Sequence, residues 1–268
     1  MINVIVVGTA GRMGRMVINA IQNSEGTQCT GAVEAPGHPA VGKDAGAVAG
    51  LGELGVRIED SLQSVIKKGD VVIDFTLAES SLGNMEIAAQ HHKAMVVGST
   101  GFSSQQMERV KKLTMEFPCC LSPNMSVGVN LMFRIVEEMA QILGDDYDCE
   151  IIEAHHRMKK DTPSGTALRL GEVIAKSLGR KLAEVGVYGR KGLTGERSRA
   201  EIGMHAIRAG DIVGEHTVIF GGMGERIEVT HRAHTRDTFA QGAVRAARWV
   251  VNQKAGLYDM GDVLGLKG

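Results

Sequence analysis

No run of apolar residues in this 268-residue chain approaches the ~20 that a membrane-spanning helix needs, so no membrane partner is expected. Neither charge dominates: 30 lysines and arginines stand against 31 aspartates and glutamates, for a net charge of -1. That balance gives no global footprint for nucleic acid or an anionic surface. Four cysteines are present, Cys29, Cys119, Cys120 and Cys149, and none forms a C-x-x-C pair. Their spacing suits neither a zinc ribbon nor a disulfide framework, and reduced thiols in the cytosol are the expectation. The opening stretch MINVIVVGTAG has neither the basic n-region nor the longer apolar core of a secretory signal, so a cytoplasmic protein is expected. There is no internal repeat and no low-complexity segment, and the 35 glycines are scattered rather than gathered into a linker.

What remains is an ordinary globular mix, 43% hydrophobic and 23% charged, with enough chain for one large or two modest domains. The 14 methionines are read as flexible core filler. Apolar strand-like runs at Asn3–Gly8, Cys29–Glu34, Gly69–Thr76, Ala94–Gly101 and Cys119–Asn124 alternate with helical periodicity over Arg12–Asn23, Ser80–His91 and Ser103–Met115. That alternation predicts a parallel sheet with helices on both faces. The pattern changes near Ser126. A long amphipathic helix over Val127–Leu143 precedes a strand over Tyr147–His156 and a helix over Gly165–Leu178. Three strand-like runs then follow with no helix between them: Glu201–Arg208, Val213–Phe220 and Glu225–Ala233. Consecutive strands joined by Gly-rich turns are expected to pair antiparallel. The fold class expected is α/β, with residues 1–126 as a doubly wound parallel-sheet domain and residues 127–237 as a second, α+β domain with an open mixed sheet. The last helix, Thr238–Lys254, and the chain to residue 268 are expected to return to the first domain.

The first chemical signal is VIVVGTAGRMGR, which places Gly8, Gly11 and Gly14 between a buried strand and a helix. Glycines permit a tight turn and let a pyrophosphate approach the backbone, and the helix N-terminus offers N–H groups and a partial positive charge. Glu34, 20 residues past Gly14, ends the next strand, where a carboxylate can accept from ribose hydroxyls. A Rossmann-type dinucleotide site is predicted; a Gly-rich turn with no ligand is the bland alternative. Glu34 repels a 2′-phosphate, Arg12 offsets that, and Ala35 supplies no arginine beside it. NADH is therefore expected to be usable, along with NADPH. FTLAES (Phe75–Ser80) and GSTGF (Gly98–Phe102) each follow a strand and are expected to line the same crevice, though either could be a plain connection.

The second signal is EAHHRMKKDTPSGTAL, Glu153–Leu168. His155 and His156 end a strand, where neighbours point to opposite faces, so both serve one pocket only if the chain turns there. Lys159 lies three residues past His156. Asp161, Thr162 and Pro163 suit the approach to a helix with Ser164 as cap, so that Gly165 and Thr166 present backbone N–H groups at its start. Imidazoles, ammonium groups and an anion-binding helix end suit a small dicarboxylate substrate. Adjacent histidines chelate poorly and no fitting acid or cysteine completes a set, so no metal is expected. A strand end with solvated lysines is the bland alternative.

This stretch resembles the signature of the dihydrodipicolinate reductase (4-hydroxy-tetrahydrodipicolinate reductase) family, roughly E-x-H-H-x-x-K-x-D-x-P-S-G-T-A, and matches every fixed position. GTAGRMGR resembles the family's nucleotide loop, GSTGF its G-T-T-G segment, and SPNMSVGVN (Ser122–Asn130) its interdomain segment. The resemblance implies reduction of a cyclic imine dicarboxylate by NADH or NADPH, with loss of water, in lysine biosynthesis. It implies His155 as the acid/base residue, Lys159 as proton donor, His156 as a substrate contact, and Gly165 and Thr166 as carboxylate-binding amides. Lys160 falls off the pattern. The resemblance also sets Gly8, Thr9, Ala10, Gly11, Arg12, Met13, Gly14, Glu34, Gly98, Ser99, Thr100, Ser122, Pro123, Asn124 and Met125 against the cofactor, and implies a homotetramer joined through the second sheet. Two positions depart from it: Ala35, where many members carry arginine, and Ser99, where threonine is usual. Two other readings are weighed against this one. A reductase of another amino acid or imine would lack the H-H-x-x-K…P-S-G-T set, and a non-enzymatic NAD(H) sensor would need a basic DNA-reading helix that is not seen.

Overall fold

In a computed structural model that describes residues 1–267, the chain divides into two compact units. One holds Met1–Val127 and the chain from Arg236 onward; the other holds Gly128–Thr235. Strands are numbered in chain order.

The first unit is built on β1 (Ile2–Val7), β2 (Thr27–Val33), β3 (Ile58–Glu59), β4 (Val71–Asp74), β5 (Ala94–Val97), β6 (Pro118–Leu121) and β12 (Gly256–Tyr258). They form one sheet in the order β12-β6-β5-β4-β1-β2-β3, and every pairing is parallel. The order reverses between β1 and β4, which is the switch point of a doubly wound sheet, where ligands bind beyond the carboxyl ends of the strands. β4 and β5 are wholly buried, which is why they read as unbroken apolar runs and not as alternating ones. The helices Arg12–Gln22 and Asp237–Val250 pack into a single core with Val4, Val6, Ile73 and Val96. Small residues make the approach close. A side chain at Gly242 would come within 1.8 Å of the Met125 carbonyl, so the Ser122–Met125 segment lies directly on that helix. Other helices begin by rule: Ser103 caps Ser104–Leu113 in a reciprocal box with Gln106.

The second unit carries β7 (Asp148–His155), β8 (Gly186–Tyr188), β9 (Ile202–Arg208), β10 (Gly214–Gly221) and β11 (Arg226–Ala233), ordered β11-β10-β7-β9-β8. The helices Val127–Leu143 and Gly165–Ser177 supply Met132, Val136, Leu170 and Ile174 to its core, against Ile151, Met204, Val218 and Phe220. β10 and β11 pair antiparallel as expected, but β9 and β10 do not pair. β7 lies between them, parallel to β9 and antiparallel to β10. The short connection 209–213 therefore passes over the end of β7, where Ala209 donates to the His155 carbonyl (3.0 Å) and Arg157 donates to that of Gly210 (3.1 Å). A period-2 pattern specifies which face of a strand is buried and not which strand lies beside it. β7, apolar on its inward face, is satisfied along both edges only with a partner on each side. β3, β8 and β12, of two or three residues, escaped the sequence reading because they are too short to show a period.

Candidate active site

The glycine turn sits at the switch point. Gly8 has φ of +73°, a left-handed conformation that other residues rarely adopt. A Cβ on Gly14 would fall 2.1 Å from the Gly8 carbonyl oxygen, so the helix can start against the turn only with glycine there. Thr9 is fully buried and donates to the carbonyls of Val6 (2.9 Å) and Val33 (3.1 Å), tying β1 to β2. Its role is in the turn's shape, with backbone alone to offer a ligand. Glu34 accepts from the Ala10 amide (2.8 Å) and from its neighbour Ala35 (3.0 Å), so its carboxylate lies beside the glycine turn.

Under the loops runs a chain of buried and half-buried hydroxyls that sequence reading missed. Asp74, fully buried, accepts from the Thr76 amide and hydroxyl (2.8 and 2.7 Å) and from Asn84 (2.8 Å). Thr76 lies 3.3 Å from Ser81, and Ser81 2.7 Å from Ser99. The hydroxyl kept at Ser99 thus points inward, and Thr100 and Gly101 are exposed in that loop. A Cβ on Gly98 would fall 2.1 Å from the Phe75 ring, which presses the two loops together. Ser122 donates to the Asn124 carbonyl (2.9 Å), and the Asn124 side chain accepts from Ser126 (2.9 Å). Within this unit a cavity of about 280 Å³ is lined by Arg12, Met13, Phe75, Pro123, Asn124 and Met125, with Arg236 and Phe239 from the last long helix and its approach. The last two carried no motif signal. Apolar walls with a few polar and two cationic groups are the composition of a small-molecule site, and the turn's cradle fits a pyrophosphate.

In the second unit the chemistry gathers at the end of β7. The Glu153 side chain is 1% exposed and is bonded on every side. Arg208 grips it with both guanidinium nitrogens (2.7 and 2.8 Å), the Ser164 amide donates to Oε1 (3.1 Å), and His155 Nδ1 lies 2.5 Å from Oε2. Burial raises the Glu153 carboxyl, but the hydrogen bonds from Arg208 and His155 outweigh it and hold the group below the usual range. Burial pushes His155 down against the opposing pull of Glu153, with Lys159 and Arg208 adding to the depression. Ser164 caps the helix Gly165–Ser177 by accepting from Ala167 (3.2 Å), and its hydroxyl lies 3.0 Å from His216 Nε2. His216 stands edge-on to His155, ring centres 5.3 Å apart. Burial, then the nearby His155, takes it down to about 3. Lys159 Nζ is 2.9 Å from both Asp161 oxygens, and Arg208 also donates to the Asp161 carbonyl (2.8 Å).

The sequence-predicted His155, Lys159, Gly165 and Thr166 are thus brought to one corner through Glu153, Ser164 and Asp161. His156 follows the strand, with a buried Nδ1 that has no protein partner, and Lys160 is exposed. Arg208 and His216 were missed. They arrive from β9 and β10, opposite His155 and Glu153 respectively in the strand registers, and no spacing along the chain signals that.

Comparison with known proteins bears on both units. Residues 2–125 match the family described as dihydrodipicolinate reductase, N-terminus, and residues 128–264 its C-terminus. The chain is 57% identical over 267 residues to the 4-hydroxy-tetrahydrodipicolinate reductase of Syntrophus aciditrophicus (strain SB), and 55% identical to that of Geobacter sulfurreducens, each covering 100% of both chains. Among solved structures, a dipicolinate-bound dihydrodipicolinate reductase from Paenisporosarcina sp. TG-14 is similar with a TM-score of 0.77 at 24% identity, covering 97% of each chain.

Proposed function

The chain belongs to the dihydrodipicolinate reductase family, and from that premise we infer how its own residues serve the reaction. It is an NAD(P)H-dependent oxidoreductase that reduces 4-hydroxy-tetrahydrodipicolinate to tetrahydrodipicolinate, with loss of water, in lysine and diaminopimelate biosynthesis. The observation that carries the residue assignment is the corner at the end of β7, where a depressed His155, an ion-paired Lys159 and a capped helix N-terminus share one set of hydrogen bonds.

A nicotinamide cofactor supplies the reducing equivalent. The residues that would hold it are the turn Gly8–Gly14, with Glu34 on the ribose, the Gly98–Thr100 loop, and Ser122–Met125 beside the 280 Å³ cavity. The substrate's carboxylates suit the amides of Gly165 and Thr166 at the helix start, with His156 as a further contact. Reduction of the conjugated imine leaves an electron-rich ring that must gain a proton. Lys159, an ammonium donor beside Asp161, delivers it. His155, pushed toward its neutral form by burial, takes the ring C–H proton lost in the elimination and returns it to the departing hydroxide, so that water leaves, and is the second acid/base group of the pair. Ala35 offers no cation to a 2′-phosphate and Glu34 opposes one, so NADH is the favoured cofactor, with Arg12 giving NADPH a secondary role. A homotetramer through the second sheet, testable by light scattering, and a cytoplasmic location, testable by cell fractionation, complete the reading.

The test uses His155→Ala and Lys159→Met. The substrate is generated in situ from pyruvate and aspartate semialdehyde by the preceding synthase, and cofactor oxidation is followed at 340 nm. Each variant should lose about 10²–10⁴-fold in kcat while NADH affinity stays within about twofold, because the cofactor residues lie on the other unit. A Lys159→Met enzyme that kept most of its turnover would remove lysine from the donor role.

A further inference from the structure

We propose that Glu153 and Arg208 form one buried positioning pair that sets the tautomer of His155 and holds the carboxylate-binding turn and the Lys159 loop in register with it. The proposal rests on the acid/base role given to His155 above and deepens it. Four observations support it. Glu153 is nearly inaccessible, so its charge is not a solvated surface feature. One carboxylate oxygen faces His155 Nδ1 at 2.5 Å, and the other accepts the Ser164 amide at 3.1 Å, at the cap of the helix that begins with Gly165. Arg208 binds both oxygens and in addition the Asp161 carbonyl at 2.8 Å, within the loop whose Asp161 side chain grips Lys159. A Cβ on Gly214 would sit 3.1 Å from His155 Nε2, so glycine keeps space beside the ring nitrogen that Glu153 does not use.

The consequence is a defined proton map. A carboxylate can only accept, so Nδ1 must carry the hydrogen, and Nε2 is left with its lone pair for proton transfer. A partner on one ring nitrogen selects what the other can do. The charged groups around His155 are Glu153 on its own strand, Lys159 in the following loop with Asp161 paired to it, and Arg208 on β9; His216 on β10 adds a neutral imidazole. Glu153 is the anion that contacts the ring itself. Removing its charge leaves the imidazole facing two cations, so the protonated form of His155 loses its stabilisation and the limb of the pH profile that reports His155 moves to lower pH.

The experiment compares wild type, Glu153→Gln and the double variant Glu153→Gln/Arg208→Met. The double variant removes both charges, so no lone buried ion remains to unfold the unit. Histidine-labelled protein is read by long-range ¹⁵N–¹H correlation, with His155→Ala used to assign the ring. Expected for wild type is the Nδ1–H tautomer with a bare Nε2. Expected for both variants is loss or mixing of that tautomer, a fall in kcat of about a hundredfold and a KM for substrate raised severalfold, with the His155 limb shifted down by about one pH unit in Glu153→Gln and by less in the double variant, which also loses the Arg208 cation. In the double variant the melting temperature should recover while the tautomer does not and the limb returns only part of the way. An Nε2–H tautomer in the wild type overturns the proposal. So does a double variant that regains activity with its pH profile unmoved, since a purely structural ion pair would behave that way. Failure of the underlying reading is separate: a fully active His155→Ala enzyme would refute the acid/base role while the tautomer measurement still stood.

Discussion

Gly14 offers the sharpest quantitative test of the nucleotide turn. Replacing it with alanine puts a Cβ 2.1 Å from the Gly8 carbonyl oxygen and 2.8 Å from both Gly8 C and Thr9 Cα, where real Cβ contacts stay beyond 3.0 Å. The turn and the helix Arg12–Gln22 must therefore part by about 0.9 Å, and the obstacles are all backbone, which cannot rotate away as a side chain would. Overpacking of this kind costs about 1–3 kcal/mol, or roughly 2–12 °C of melting temperature for a unit of this size. The same displacement moves the helix N-terminus off the pyrophosphate, and misplacement by about 1 Å is worth up to ~10²-fold at a reacting site, so NADH should bind at least tenfold more weakly. Fluorescence titration with NADH and a thermal melt measure both effects. Gly11→Ala is the control, since its Cβ would meet the same oxygen at 3.1 Å, a gap that a few tenths of an ångström relieves. A Gly14→Ala protein with an unchanged melt and NADH affinity within twofold would refute the geometry. One that melts early yet binds NADH normally would refute the turn's role in holding the cofactor.

Two further outcomes follow from charge. His216, about 3 in the folded chain against an ordinary 6.5, binds its proton more readily unfolded. Its contribution to stability is therefore full above pH 6.5 and is lost as pH falls from 6.5 toward 3, at up to ~1.4 kcal/mol per pH unit. His216→Gln, which can still reach Ser164, should flatten that part of the urea-denaturation profile against pH, and an unchanged slope would contradict the burial of a neutral ring. At the nucleotide turn, Glu34→Gln removes the charge that opposes a 2′-phosphate. The KM ratio of NADPH to NADH should fall about fivefold, and a ratio that stayed put would mean Glu34 does not face the ribose.

Local features were the legible ones. The glycine turn, the strand before it and the helix after it are contiguous, and the existence of β1, β2, β4, β5 and β6 as buried strands alternating with helices shows in short-range pattern. The cap at Ser164 likewise sits within a few residues of what it serves. Arg208 was not legible, because it reaches Glu153 across 55 positions and only because β7 intervenes between β9 and β10. The Asp74–Thr76–Ser81–Ser99 relay was hidden for a related reason: its members come from two strand ends and a helix and touch only after β4 and β5 are paired. Phe75 was quoted in a loop, but its contact with Gly98 depends on the register of two strands, which composition does not report.

The order of synthesis adds a consequence to the way the first unit is assembled. Its sheet gains β12, hydrogen-bonded to β6, and its core gains Ala240, Ala243, Val244 and Ala247, from chain that a ribosome makes only after the second unit. Until then β6 is an uncovered border with half its backbone groups unanswered, the kind of edge that recruits foreign strands. The second unit, contiguous from Gly128 to Thr235, can mature first, so a nascent chain that stalls before Arg236 leaves a finished module tethered to an unfinished one.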